Sequence, residues 1–189
     1  VLTINTAATA NADVDAAICQ GETYTLSGAI GGSATSSVWS SGGDGSFGNA
    51  ALLNATYTPG SNDISNGTVT LTITTNDPAG PCPAAQDSMV LTIDPAATVA
   101  AVSNATICQG DTYTLSGSFG GSASSITWTS GGDGTFDNPA LPGATYTPGS
   151  ADSTAGNVTL TIPTHDPAGT CPAVQESMVP TINTPLTAI

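Results

Sequence analysis

Apolar and polar residues alternate along several short segments of the chain. The clearest of them, 68–74, places Val69, Leu71 and Ile73 on one face and threonines on the other. Alternation with a period of two predicts a half-buried β-strand. Similar patterns predict further strands at 23–27, 37–40, 55–58, 88–93 and 157–162. We expect almost no helix, because no segment keeps an apolar period of 3.6 over three turns.

Turn-forming residues separate these strands. Clusters of Gly, Asn and Asp fall at 31–33, 42–45, 66–67 and 77–80, where glycine accepts positive φ and Asp or Asn caps nearby N–H groups. Short strands at this spacing, with a single central tryptophan in each half of the chain, are typical of a β-sandwich. The pattern leaves open whether 45–49 is a further strand or a detour. The predicted fold is all-β and immunoglobulin-like.

The chain also repeats itself at a fixed offset of 89 residues (108 − 19). Residues 18–28 return as 107–117, and the same offset relates Trp39 to Trp128. No insertion or deletion is needed, and roughly two-thirds of the aligned positions are identical. A fixed period of this length is the signature of a repeat array. The sequence therefore predicts tandem immunoglobulin-like β-sandwich repeats with a period of 89 residues.

The ends of the chain fall within the repeat pattern. Residues 1–5 align with 90–94, which belong to the last predicted strand of a repeat. We therefore expect the chain to be a segment of a longer array. The predicted organisation assigns 1–11 to the last strand and linker of a preceding repeat, 12–95 to a first repeat, and 96–189 to a linker and a second repeat. The joint at 95–101 begins with proline and lacks glycine, so we expect it to be stiff and extended.

The charge composition excludes several classes of function. The chain has no Lys or Arg, fourteen acidic residues and one His, so its formal net charge is −14. Nucleic-acid binding needs cations to displace the counterions of phosphate. Phosphate-binding loops that use lysine and Schiff-base chemistry are excluded for the same reason. No segment has the ~20 apolar residues that a membrane-spanning helix requires, so we expect no membrane insertion of this segment.

Four cysteines occur as one pair in each repeat, Cys19 with Cys82 and Cys108 with Cys171. Four cysteines allow three connectivities, and the repeat favours pairing within each unit. Four buried free thiols are the alternative. The spacing lacks the Cys-x-x-Cys motif typical of zinc sites. Paired cysteines indicate an oxidising, extracellular compartment.

Acidic residues recur at equivalent positions of the two repeats and are candidates for calcium, which prefers oxygen ligands. The recurring pairs are Glu22/Asp111, Asp44/Asp133, Asp63/Asp152, Asp77/Asp166 and Asp87/Glu176. Asp13, Asp15 and Asp94, near the joint between repeats, form a second candidate calcium site. The alternative is that these acids cap turns, because no calcium-loop motif is present. No other cofactor is predicted.

Other residues are compatible with functional roles, but the sequence favours a structural role for each of them. His165 lies beside Asp166, but its counterpart in the first repeat is Asn76, and no nucleophile motif accompanies it. We therefore predict that the protein is not an enzyme. Trp39 and Trp128 are expected in the core, with a carbohydrate-stacking platform as the alternative. The threonines of the strands are expected to face solvent, with a flat sugar- or ice-binding array as the alternative.

The order of these motifs resembles a known family. They are similar to the PKD-like, immunoglobulin-like repeats of giant cell-surface adhesins from gliding bacteria of the Bacteroidetes type. The similarity rests on residues 18–28, the run Trp39-Ser-Ser-Gly-Gly-Asp-Gly-Ser-Phe47, the segment 55–60 and the strand 87–93. The resemblance covers essentially the whole chain and implies secretion, display on the cell surface, and a role in adhesion or gliding motility. It also implies O-glycosylation at Ser88 and Ser153, because Asp87-Ser88-Met89 and Asp152-Ser153-Thr154 look like the acceptor triplet of such bacteria. The absence of Lys and Arg departs from the family.

The sequence therefore predicts a non-enzymatic structural segment of a giant extracellular surface adhesin or filament, which acts as a stiff, soluble rod of repeats. Its expected partners are neighbouring repeats of the same chain or filament, with surface polysaccharide as a further candidate. Two alternatives stay open. One is a pilin-like filament subunit assembled by strand exchange. The other is a calcium-dependent glycan-binding module.

Overall fold

The computed structural model describes residues 6–76, 82–101, 104–165 and 169–184. The predicted end strand at 1–5, the turn at 77–80 and the recurring acids Asp77 and Asp166 lie outside the described residues. The chain divides into two compact units, 1–95 and 96–189. No helix in the described parts of the chain is long and apolar enough to cross a membrane.

The first unit is built from short strands and one short helix. Its elements, in chain order, are β1 (Thr9–Asn11), β2 (Ala16–Cys19), β3 (Tyr24–Thr25), β4 (Ala29–Gly31), β5 (Ser37–Ser41), β6 (Ser46–Phe47), β7 (Thr56–Thr58), α1 (Ser61–Asn66), β8 (Thr68–Thr75) and β9 (Gln86–Asp94). The longest strands, β8 and β9, contain the two segments with the clearest alternation in the sequence. Those predicted strands are confirmed.

The strands of the first unit form two main sheets. One has the order β2-β9-β8-β5, in which β2 and β9 are parallel and the other pairs are antiparallel. The other has the order β3-β7-β6, and β1 pairs with β4. Apolar residues of the alternating strands fill the core with Trp39, Tyr57 and Leu26. The fold is therefore the all-β, immunoglobulin-like sandwich that the alternation predicts.

A short helix, α1, connects the two sheets and was not predicted as an element. It begins after Gly60, whose backbone is extended, and ends at Gly67, which adopts the left-handed conformation with φ 72°. Glycine tolerates that conformation because it has no Cβ. A helix of six residues is too short to show an apolar period, so the expectation of almost no helix holds while its position escaped prediction.

The second unit repeats this plan with shorter strands. Its elements are β10 (Thr98–Ala100), β11 (Thr106–Cys108), β12 (Tyr113–Thr114), β13 (Ser118–Gly120), β14 (Ser125–Ile126), β15 (Thr129–Ser130), β16 (Thr135–Phe136), β17 (Thr145–Thr147), α2 (Ser150–Ala155), β18 (Leu160–His165), β19 (Gln175–Met178) and β20 (Thr181–Asn183). Proline explains one interruption. Pro180 replaces Leu91 of the first unit and lies between β19 and β20, because it has no N–H for the ladder.

Two segments assigned to linkers differ from the prediction. Within the range 1–11, β1 pairs in register with β4, so residues 9–11 belong to the first unit rather than to a preceding repeat. Likewise β10, within the expected joint at 95–101, pairs with β13 of the second unit. Both strands are only three residues long, too short for alternation to reveal them. The segment left open at 45–49 contains β6, a strand of the β3-β7-β6 sheet.

Candidate functional site

The densest polar contact in the first unit surrounds the carboxylate of Asp63, a residue that is 1% exposed. The Tyr57 hydroxyl donates to its Oδ2 atom at 2.6 Å. The backbone N–H groups of Gly45 and Gly60 donate to the same oxygen, each at 3.0 Å. The N–H of Asp44 donates to Oδ1 at 3.2 Å. A buried charge is costly unless it is hydrogen-bonded, and here four donors meet it without any cation.

A second carboxylate, that of Asp44, caps the start of α1. It accepts the backbone N–H groups of Asn62 and Asp63 at 3.1 and 3.2 Å, and the Ser61 hydroxyl at 3.3 Å. The Asn62 N–H contributes most to holding the pKa of Asp44 below its ordinary value, while desolvation opposes it. Carboxylates at helix N-termini satisfy N–H groups that have no partner within the helix. Asp44 and Asp63 thus bind each other's backbone and lock the 42–45 turn onto α1.

Glycine is required at two places around these carboxylates. A Cβ atom at Gly43 would overlap Oδ1 of Asp63, and a Cβ atom at Gly60 would overlap Oδ1 of Asp44. Neither backbone position needs positive φ, so the requirement comes from close approach alone. The glycine-rich turn therefore serves to bring backbone N–H groups against a buried anion.

The second unit contains the same arrangement around Asp152, which is 3% exposed. Tyr146 donates to its Oδ2 atom at 2.5 Å, and the Gly149 N–H donates to that oxygen at 3.0 Å. The Asp133 N–H donates to Oδ1 at 3.2 Å. We call the two copies the tyrosine–aspartate networks; they consist of Asp44, Tyr57 and Asp63, and of Asp133, Tyr146 and Asp152, with their donors.

The electrostatics of these networks indicate a structural role. Burial, followed by the neighbouring carboxylate, raises the pKa of Tyr57 and of Tyr146 to about 12. Both phenols therefore stay protonated and donate at neutral pH. Because Oδ2 of Asp63 already accepts three hydrogen bonds, it is poorly placed to bind a metal ion. Seven of the ten recurring acids accept backbone N–H groups here: Glu22, Asp44, Asp63, Asp87, Asp133, Asp152 and Glu176.

The second calcium candidate, Asp13, Asp15 and Asp94, is not brought together. Asp15 accepts the N–H of Val90, whereas Asp94 lies opposite Cys19, four residues further along β9. At ~3.3 Å per residue, four positions along a strand separate the two carboxylates by about 13 Å. Asp13 accepts the N–H of the next residue with its own carboxylate. In the described part of the chain, no three His, Cys, Asp or Glu side chains form a metal-binding group.

His165, the one histidine, lies at the exposed end of β18. Its Nε2 atom is 3.2 Å from the Thr127 hydroxyl. Its sequence neighbour Asp166 is outside the described residues. The contact joins the exposed imidazole to the hydroxyl of a half-buried threonine.

The cysteines do not follow the pairing that the repeat favours. Cys19 and Cys171 each take part in a disulfide bond. Cys108 at the end of β11 is an exposed free thiol, so the predicted bridge between Cys108 and Cys171 is wrong. Cys82 is half-buried.

The two serines proposed for O-glycosylation have different environments. Ser88 is exposed on β9, and its hydroxyl lies 2.8 Å from that of Thr72. Ser153 is half-buried on α2 and donates to the Gly149 carbonyl at 2.9 Å. Both hydroxyls already hydrogen-bond within the protein, and their glycosylation stays a prediction.

Both tryptophans are core residues, as expected. Trp39 and Trp128 are each 2% exposed, so neither offers a stacking surface for a sugar ring. The outer positions of the long strands are instead neutral and rich in hydroxyls. We call them the first hydroxyl face, which comprises Val38, Ser40, Thr68, Thr70, Thr72, Thr74, Gln86, Ser88, Val90 and Thr92, and the second hydroxyl face, which comprises Thr127, Thr129, Asn157, Thr159, Thr161, Pro163, Gln175, Ser177, Val179 and Thr181.

A shallow depression borders each hydroxyl face at the equivalent place. In the first unit it has a volume of about 200 Å³, and in the second about 320 Å³. The depression of the first unit is lined by the glycines of a turn, by α1 and by two outward residues of β8. That of the second unit is lined by the equivalent glycines, by α2 and by two outward residues of the segment around β18. Asp63 and Asp152 form part of the walls, but hydrogen bonds within the networks engage their carboxylates. The other residues that line the depressions are glycine, alanine, valine, threonine and asparagine.

No model of a known protein family matches the chain, and no curated protein matches it. Solved structures do resemble it. The eight N-terminal immunoglobulin domains of Down syndrome cell adhesion molecule share 17% identity at a TM-score of 0.57, over 94% of this chain and 27% of that chain. The insect immune protein hemolin shares 13% identity at 0.53, over 92% of this chain and 46% of hemolin. A three-domain immunoglobulin segment of titin shares 13% at 0.53, over 97% and 68%.

The chain thus spans less than half of either of the first two proteins. Identities of this size show a common fold and nothing further. The similarity extends over residues of both units. It agrees with the strand pattern of each unit. The chain therefore consists of tandem immunoglobulin-like β-sandwich units.

Proposed function

We propose that the chain is a non-enzymatic structural segment of a giant extracellular adhesin or surface filament, in which repeated sandwiches provide length and stiffness. The observation that carries the proposal is the duplicated tyrosine–aspartate network. The same buried carboxylate, phenol and glycine turn recur at an offset of 89 residues (152 − 63). Each unit thus contains its own internal reinforcement, as a module used many times in series requires.

The proteins of similar fold support an adhesive setting. The printed names of the neighbours include a cell adhesion molecule, a protein discussed for homophilic adhesion, and a segment of titin. The order of motifs in this chain adds the finer proposal of a gliding-motility adhesin of the Bacteroidetes type, displayed at the cell surface. Contacts with neighbouring repeats are its proposed interactions, and surface polysaccharide is a further proposed partner.

The charge distribution suits an extracellular module. The buried charges of the networks are balanced by N–H and O–H donors, so the unit needs no lysine or arginine in its core. The remaining acids keep chains apart and soluble, and salt screens their mutual repulsion.

The test is the mass and location of the native polypeptide. An antibody raised against the 1–189 fragment is used to probe the source cells on a reducing denaturing gel and, unpermeabilised, by immunofluorescence. A band of hundreds of kilodaltons and labelling of intact cells are expected. A band near 18.4 kDa would contradict a giant array and favour a subunit assembled by strand exchange. Labelling only after permeabilisation would contradict the surface location.

A further inference from the structure

Each unit contains one Asp–Gly bond in its glycine-rich turn, Asp44–Gly45 in the first unit and Asp133–Gly134 in the second. No other aspartate of the chain is followed by glycine. Glycine has no side chain to shield its nitrogen, and it lets the backbone adopt many conformations. An aspartate side chain therefore reaches the nitrogen of a following glycine more easily than that of any other residue. These two bonds are the places where aspartate converts most readily to isoaspartate.

Isomerisation requires the two residues of the bond to react with each other. The glycine nitrogen attacks Cγ of the aspartate in its acid form. The new N–C bond closes a five-membered succinimide ring, and the carboxyl OH leaves as water with the proton of the nitrogen. Water then opens the ring at either carbonyl, which gives aspartate or isoaspartate without a net change in mass. Such an intramolecular step is fast when the groups can align and slow when they are held apart.

In the first unit, the buried carboxylate of the network restrains the nitrogen. The Gly45 N–H donates to Oδ2 of Asp63 at 3.0 Å. Asp63 is 1% exposed, so water screens its charge only weakly. Removing the proton from the Gly45 nitrogen would leave a developing negative charge against this carboxylate. The hydrogen bond therefore makes the nitrogen a poorer nucleophile.

The carboxyl group of the same bond is restrained by α1. Asp44 is exposed, so burial does not protect it from the solvent. Its carboxylate accepts the N–H groups of Asn62 and Asp63 at 3.1 and 3.2 Å, and a Cβ atom at Gly60 would overlap its Cγ atom. Turning Cγ towards the Gly45 nitrogen would break these contacts. The Asn62 N–H above all holds the pKa of Asp44 below its ordinary value, so the reactive acid form is scarce.

The second unit repeats the restraint on the carboxyl group. Asp133 accepts the N–H groups of Ala151 and Asp152 at 3.1 and 3.2 Å, and the Ser150 hydroxyl at 3.3 Å. A Cβ atom at Gly149 would overlap the Cγ atom of Asp133. The two turns read Gly-Gly-Asp-Gly-Ser-Phe and Gly-Gly-Asp-Gly-Thr-Phe, so the intrinsic reactivity of the two bonds is nearly the same. Each bond is therefore a control for the other.

We propose that Asp44 and Asp133 are the isoaspartate-forming residues of this chain, and that the tyrosine–aspartate networks suppress the reaction while the units are folded. Isoaspartate adds one carbon atom to the main chain. A turn lengthened in this way no longer places the N–H groups of Asp44 and Gly45 on Asp63, so the modification would disrupt the network. This protective role goes beyond the proposed structural role and does not depend on it.

The test measures isomerisation at both bonds in one sample. The 1–189 chain is incubated for weeks at mildly acidic pH, either folded or unfolded in urea, and is then digested with chymotrypsin. The peptides 40–47 and 129–136 are separated by liquid chromatography, in which the isoaspartate form has the same mass, a different retention time and resistance to Asp-specific cleavage. Each bond is expected to isomerise at least about tenfold more slowly in the folded chain than in urea. Equal rates in the two states would overturn the proposal.

Variants of the first unit separate the network from stability in general. Asp63→Asn removes the negative charge that holds the turn, and it should speed the isomerisation of Asp44 about tenfold while that of Asp133 in the same molecule stays unchanged. Met89→Ala is the matched control, because it truncates a core side chain that is 1% exposed and lies outside the network. It should leave the isomerisation of Asp44 within about twofold of the unchanged chain.

Ser61→Ala provides a milder variant at the surface. It keeps the buried carboxylate and removes a hydroxyl that lies 3.3 Å from the carboxylate of Asp44, so an increase of about twofold is expected. Urea unfolding curves verify that each variant is folded during incubation. Equal acceleration by Asp63→Asn and Met89→Ala would show that unfolding sets the rate, and would overturn the proposal. If Asp63→Asn does not fold, Ser61→Ala decides, and an unchanged rate at Asp44 contradicts the protective role.

Discussion

Replacing Tyr57 by phenylalanine tests whether the tyrosine–aspartate network holds the first unit together. The substitution removes only a hydroxyl, which donates to Asp63 at 2.6 Å and lies 2.7 Å from the Ser41 hydroxyl. Tyr57 is 0% exposed, so water cannot take the place of the lost donor without rearrangement. The ring and its tilted contact with Phe47, at a centroid distance of 4.9 Å, are kept. The change therefore isolates the hydrogen bond from the packing.

The expected loss follows from the charge of the acceptor. Hydrogen bonds to charged groups contribute about 1.5–3 kcal/mol to the free energy of unfolding. The Asp63 carboxylate keeps three backbone donors in the variant, so the charge is not left unpaired and the loss should stay within that range. With a urea m-value of about 1 kcal/mol/M for a small unit, the midpoint should fall by roughly 2 M.

The assay is urea unfolding followed by Trp39 fluorescence, in a background with Trp128→Phe so that the signal reports the first unit. Tyr24→Phe is the matched control, because it removes a phenol from the adjacent strand β3 whose hydroxyl bonds to no described residue. The control should change the free energy of unfolding by no more than about 0.5 kcal/mol. If Tyr57→Phe costs no more than the control, the network does not stabilise the unit as argued. Combining Tyr57→Phe with Asp63→Asn should show a coupling energy above about 1 kcal/mol.

Three further predictions concern the same units. Gly43→Ala should destabilise the first unit by more than about 2 kcal/mol in urea unfolding, whereas Gly42→Ala, whose Cβ would meet nothing closer than 3.6 Å, should be tolerated. On the alkaline side, the free energy of unfolding should begin to fall near pH 10 and decline up to about pH 12, because the folded state raises the pKa of Tyr57 and Tyr146; replacing both by phenylalanine should flatten this alkaline decline. Without reductant, iodoacetamide should alkylate Cys108, which mass spectrometry after Asp-specific cleavage would detect; an unmodified Cys108 would contradict its free, exposed state.

The sequence was most informative where strands are long. Segment 68–74 alternates over seven positions and became β8, and the repeat offset transferred its pattern to the second unit. Elements of two or three residues, such as β1 and β6, carry too few positions for a period to be recognised. The pairing of β1 with β4 and of β10 with β13 therefore cannot be predicted from alternation.

The polar network was visible in part. Acids recur at the positions of Asp44 and Asp63 in both repeats, and turn capping is one of the two interpretations that the sequence allows. Their burial was not predictable, because the donors to Asp63 include the N–H groups of Asp44 and Gly45, 19 and 18 residues away in the chain. The parallel pairing of β2 with β9 also joins distant segments, so it too required the folded structure.

Residue-resolved amide hydrogen exchange, measured by NMR at neutral pH, tests the central claim most directly. The claim is that each unit is held by a buried carboxylate that binds loop N–H groups. The N–H groups of Gly45, Gly60 and Gly149 should therefore exchange as slowly as those of the central strands, although they lie outside any strand. The Ala51 N–H, which binds an exposed side chain, should exchange quickly. If the three glycine amides exchange as fast as that of Ala51, the carboxylates do not hold the turns and the account is wrong.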